Sequence, residues 1–193
     1  MGTTAKVLKY AAFGVLIVVA VLGGAFAAGY AFQDLPFRAA ALGTVIALAF
    51  IVTMSVLALR RTDVAVTALL VITAGLSVLA LVDGRWDVFT RDVNGPVMTV
   101  LLLITAAPLA VLGLRRAFEA GVMILILGVA QLVGTGIAHA VASGQFEWGL
   151  LLRGSGGVVV LPLLLGGLLF ILAGRSDHET PHFLPTHGAH AIH

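Results

Sequence analysis

Residues 39–82 read AAALGTVIALAFIVTMSVLAL, then RRTD, then VAVTALLVITAGLSVLALV. Two uncharged apolar runs, Ala39–Leu59 and Val64–Val82, are thus joined by a polar turn that holds Arg60, Arg61 and Asp63. A helix rises about 1.5 Å per residue, so about twenty residues cover the roughly 30 Å of hydrocarbon in a bilayer. Each run is long enough to cross. Backbone amides in lipid must be satisfied within their own segment, which selects helix for both. A β-barrel requires alternating strands of about ten residues, whereas the apolarity here is continuous. The stretch is a transmembrane helical hairpin.

Four further runs of the same kind flank it: Tyr10–Phe32, Pro96–Leu114, Ala120–Ser143 and Gly156–Gly174, none with an Asp, Glu, Lys or Arg. The expected fold is an all-α integral membrane protein of six transmembrane helices. Residues 1–174 form the membrane domain, and 175–193 form a His-rich cytoplasmic tail expected to be disordered. Composition agrees: of 193 residues 60% are hydrophobic and only 10% charged, against about a quarter charged in a soluble domain. No basic run with interleaved aromatics is present, so nucleic acid is not an expected partner. The absence of cysteine excludes disulfides, thiolate metal sites and thiol catalysis.

Basic residues orient the spans. One set of ends carries Lys6, Lys9, Arg60, Arg61, Arg115, Arg116 and Arg175; the other carries Arg38, Arg85, Arg91 and Arg153, diluted by Asp34, Asp83, Asp87, Asp92 and Glu147. The first set is expected inside, with both termini cytoplasmic. Phe37, Trp86, Phe89, Phe146 and Trp148 then fall at the outer ends, where amphipathic aromatics settle. Ala25-Phe26-Ala27 after Lys6 and Lys9 imitates a signal cleavage site, but the apolar run on to Phe32 exceeds a usual signal core, so retention is expected.

The chain also repeats itself. Val56-Leu57-Ala58-Leu59-Arg60-Arg61 closes the second span and Val111-Leu112-Gly113-Leu114-Arg115-Arg116 closes the fourth; Leu172-Ala173-Gly174-Arg175 closes the sixth more loosely. Each outer loop sets an acid among aromatics: Asp34, Asp87 and Glu147. The unit reads as an in–out–in hairpin repeated three times. This layout is similar to that of the HdeD-type acid-resistance membrane proteins, whose Pro-containing first turn Leu35-Pro36-Phe37 resembles. The resemblance implies an arrangement of helices and transfers no residue role.

Chemistry has few places to sit. Coupled pumps and voltage sensors place ionisable groups at membrane depth, and the spans hold only His139. A bis-histidine haem needs a second span histidine. Gln131, Thr135 and His139 lie at i, i+4 and i+8 and so share one face of the fifth span. Counted from Ala120, they run from roughly 16 Å to about 28 Å into the membrane. With Asp87 and Glu147 at its mouth, this stripe is the candidate polar pocket; the competing reading is ordinary interhelical hydrogen bonding. In the tail, His178, His182, His187, His190 and His193 are candidate ligands for weak divalent metal binding. Pro181, Pro185 and Gly188 oppose a preformed helical site. No other cofactor is expected.

The expected partners are the lipid bilayer itself and other membrane proteins, met through small-residue faces such as Gly23/Ala27 and Gly24/Ala28. The functional expectation is a non-enzymatic scaffold, accessory subunit or stress-associated component of the bacterial cytoplasmic membrane. The alternative is a small transporter or channel for a neutral solute or metal ion, using the fifth-span stripe and the histidine tail.

Overall fold

The computed structural model describes residues 3–34, 36–86, 97–143 and 154–176, with side chains at 27–28, 30–34, 137–143 and 154–158 outside the description. The described residues form six helices: α1 (Thr3–Asp34), α2 (Phe37–Arg60), α3 (Thr62–Trp86), α4 (Val97–Gly113), α5 (Ala117–Ser143) and α6 (Gly154–Ser176). Five of them are long and apolar enough to cross a membrane; α4, at 17 residues, is the shorter apolar one. Several helices this long and apolar suggest a multi-pass membrane protein.

The breaks between helices have local causes. Pro36 adopts an extended conformation (φ −53°, ψ 135°) outside the helical region and stands at the N-cap of α2. Its carbonyl then accepts from the amides of Ala39 and Ala40 at 2.8 and 3.1 Å, starting α2. The two hexapeptides ending in paired arginines share two backbone hydrogen bonds, although α2 stays helical through Arg60 while α4 ends at Gly113 and closes with a tighter turn at Leu114 and Arg115. Arg61 N–H donates to Leu57 O (2.8 Å) and Ala65 N–H to Arg61 O (3.0 Å). Fifty-five residues on, Arg116 N–H donates to Leu112 O (2.8 Å) and Ala120 N–H to Arg116 O (3.1 Å). One arginine in each turn therefore closes one helix and opens the next. Pro108 and Pro162 lie inside α4 and α6, which remain helical on both sides of them.

Neighbours in sequence are not always the main packing partners. Helix α4 touches all five others, which surround it in the order α1, α6, α5, α3, α2 and back to α1. Within this ring α5–α6, α3–α5 and α1–α6 are the extensive seams, while the sequence neighbours α1 and α2 barely meet. Helix α4 is accordingly buried along most of its length, from Met98 and Leu102 through Thr105, Pro108 and Leu109 to Gly113. The core gathers Leu102, Leu109 and Leu112 of α4 with Leu16, Leu69, Met123, Ile124, Leu163 and Phe170 from the rim.

Lipid tails are as apolar as leucine, so burial alone gives these helices little reason to associate; close packing has to supply it. The seams show where. A Cβ at Gly121 would lie 2.8 Å from the Gly167 carbonyl oxygen, so α5 and α6 touch backbone to backbone. A Cβ at Gly113 would overlap the Phe170 ring, which sits directly on α4.

Helix α2 is the opposite case. It is as apolar as its neighbours, yet only Ala40 and Ala58 are buried. Leu42, Val45, Ile46, Leu48 and Val52 all face outward and are exposed by more than half. A helix apolar all round is either central or embedded in an apolar solvent. Helix α4 is the first and α2 the second.

Candidate functional site

The polar stripe of α5 begins at Gln131. Its Nε2 reaches Thr135 Oγ1 at 3.5 Å, a bond within the helix and not across a seam. One turn beyond Gln131 stands Gly134, buried against α3: a Cβ there would run into the Ala80 carbonyl, and a Cβ on Gly84 would run into Gly134 itself. Ala80 and Gly84 continue a face of α3 that includes Thr73 and Ser77, spaced at helical intervals. The α3–α5 seam therefore has small residues at Ala80, Gly84 and Gly134.

Two oxygens in this region, Gln131 Oε1 and Thr73 Oγ1, are buried without a hydrogen-bond partner among the described residues. Such a group forfeits its hydration, at roughly 1–3 kcal/mol. Ser77 avoids the cost by donating to Thr73 O at 2.8 Å, and Thr105 does the same to Leu101 O at 2.8 Å. The structure thus joins Gln131 to Thr135 and closes the helix–helix seam beside them with backbone. His139 is helical, with its side chain outside the described residues. Asp87, Glu147 and the tail histidines His178, His182, His187, His190 and His193 also lie outside them. Among the described residues no three His, Asp or Glu side chains come together.

A second polar assembly was not visible as such in the sequence. Arg116, in the α4–α5 turn, donates through Nη2 to Asp63 Oδ1 of α3 at 2.8 Å and through Nη1 to Glu119 Oε1 at 3.5 Å. Glu119, in the first turn of α5, is 1% exposed. This arginine therefore ties the α2–α3 turn to the α4–α5 turn and puts both at one end of the bundle. Lys9 of α1 and Asp83 of α3 are buried as well.

Lys9, Asp83 and Glu119 each stand one residue outside an uncharged run, at Tyr10, Val82 and Ala120. Reading spans as charge-free ends them at these residues. The helices run on, and the charged side chains turn into the bundle. The signal that could have revealed Glu119 is its i, i+3 spacing from Arg116, which places the two on one helix face.

No family model matches the chain, and no curated protein or solved structure matches it either.

Proposed function

We propose that the chain is a non-enzymatic multi-pass protein of the cytoplasmic membrane, a scaffold or accessory subunit that packs against other membrane proteins. The observation that supports this most directly is α2, a 24-residue apolar helix with only Ala40 and Ala58 buried. Its neighbour α1 shares the rim, and small positions on both face outward: a Cβ at Gly14, Gly24 or Gly43 meets nothing within 4 Å. Outward glycines let the backbone of another helix come close. Gly23, by contrast, is taken up internally, against Leu103 of α4.

The proposal places the arginine end in the cytoplasm, since basic residues are retained on that side. Both termini then lie inside. The shared hydrogen bonding of the Arg61 and Arg116 turns supports a duplicated hairpin, whose copies have since packed differently.

Mild detergent extraction, crosslinking and native electrophoresis test the subunit reading. The chain is expected to migrate in an assembly with other membrane proteins. Migration as a lone species, crosslinked or not, overturns it.

A second reading draws on α3 and α5, each of which buries an oxygen without a hydrogen-bond partner among the described residues, Thr73 Oγ1 and Gln131 Oε1, to accept hydrogen bonds from a neutral solute such as glycerol. Glycerol permeation into proteoliposomes, slowed by Gln131→Leu, is the expected result; permeation no faster than in protein-free vesicles removes this reading.

A further inference from the structure

The two arginine turns share their words and two backbone hydrogen bonds but not their electrostatics. In the α4–α5 turn Arg116 is committed to Asp63 and Glu119, leaving Arg115 exposed alone. In the α2–α3 turn both Arg60 and Arg61 are exposed, and neither forms an ion pair with a described residue. The one acid of that turn, Asp63, is held by Arg116 from across the bundle. Two guanidinium groups on consecutive residues are thereby left exposed.

The surface beneath them is apolar. Val52, Val56 and Leu59 follow one another down a single face of α2 at helical intervals, 59%, 44% and 46% exposed, and Val64 opens α3 at 52%. No described side chain covers this strip. A cationic pair on top of an open apolar strip has the complementary composition of one ligand class: a phosphate carrying acyl chains.

We infer that the Arg60–Arg61 turn binds an anionic phospholipid, its phosphate against the two guanidinium groups and an acyl chain along Val52, Val56 and Leu59. Arginine suits the task because its planar fork bonds phosphate oxygens bidentately and is weakly hydrated. Two cations select a headgroup of net negative charge, because a zwitterionic lipid brings its own ammonium to the site. Free phosphate meets only the cations and leaves the apolar strip unused, so the lipid is the favoured source. The Arg115–Arg116 turn, with one arginine neutralised, is not a site of the same strength.

The inference rests on the chain being embedded in a membrane, and the test separates the two. The full chain is reconstituted into nanodiscs of phosphatidylglycerol and phosphatidylcholine, and the lipids retained on the protein after transfer to detergent are quantified by native mass spectrometry. Wild type is expected to retain phosphatidylglycerol preferentially. Within the site each of the two arginines contributes about a fivefold preference for anionic lipid, so Arg60→Gln/Arg61→Gln is expected to lose most of it. Arg115→Gln should retain it, as should the charge-conserving Arg60→Lys/Arg61→Lys in large part. If the double glutamine variant is poorly folded, single Arg60→Gln should still show about a fivefold loss.

Equal retention of both lipids by wild type, or unchanged preference in Arg60→Gln and Arg60→Gln/Arg61→Gln, overturns the inference while leaving the membrane reading intact. Complete displacement by inorganic phosphate or soluble glycerophosphoglycerol overturns it in favour of a free-anion site. Failure to enter the nanodiscs at all sinks the membrane reading instead.

Discussion

At the scale of single residues, space and pairing decide outcomes that residue type alone does not. Replacing a helical glycine by alanine ordinarily favours the helix by roughly 0.5–1 kcal/mol. At Gly134 that gain meets the Ala80 carbonyl, and overpacking of this sort costs about 1–3 kcal/mol. Gly134→Ala is therefore expected to lower the unfolding midpoint in detergent. Gly43→Ala, with nothing within 4 Å of its Cβ, should leave the midpoint unchanged or raise it. The arginines divide in the same way. Arg116→Gln removes the partner of Asp63 and one partner of the buried Glu119, and hydrogen bonds to charged groups contribute about 1.5–3 kcal/mol each. The exposed Asp63 half adds little, since its side chain is 88% accessible and surface pairs are worth about 0–1 kcal/mol. Thermal unfolding should place Arg116→Gln clearly below wild type and Arg115→Gln beside it; equal behaviour of the two variants would dispose of the tie between the turns.

At the scale of elements, α2 and α4 carry the main lesson. Both are apolar on every side, and that was legible: each was readable as a span from its run of uncharged residues. Which of them is central was not legible. In a water-soluble protein the polar face of a helix announces the outside. In lipid the outside is also apolar, so α4 and α2 give the same periodicity from opposite places. The small residues of α4, Ala106, Ala107, Ala110 and Gly113, fit a helix enclosed by five others, but α2 has alanines too. The charge-free criterion had a second blind spot. It ended the apolar runs one residue short of Lys9, Asp83 and Glu119, because it treats a charge as a helix's edge when here it belongs to the packed bundle. In the polar stripe Gln131 and Thr135 bond within their own helix, as their i, i+4 spacing allows, while the closure of α3 on α5 at Gly134 depends on which helix faces it. Centre and rim can be told apart by truncation. Leu109→Ala, at a fully buried site on α4, should destabilise by about 2–5 kcal/mol. Leu48→Ala on α2 is 56% exposed and leaves no cavity, so it should cost well under that. Equal losses in a detergent unfolding series would contradict the central position of α4.

At the scale of the whole molecule, the architecture is one buried helix ringed by five, held by glycine seams on the α5–α6 and α3–α5 sides and loosely closed where α1 meets α2. The loose side is also the apolar, glycine-bearing rim on which the scaffold proposal relies, and the paired arginines of its α2–α3 turn carry the proposed lipid site. All of this depends on the bundle crossing a bilayer with both arginine turns at one face. Because the chain has no cysteine, single substitutions report position cleanly: Arg61→Cys, Arg115→Cys and Trp86→Cys, each probed with a membrane-impermeant thiol reagent in sealed inverted and right-side-out vesicles. Cysteines at 61 and 115 should react from one side only, the cytoplasmic one, and the cysteine at 86 from the other. Reaction of all three from the same side would contradict the account.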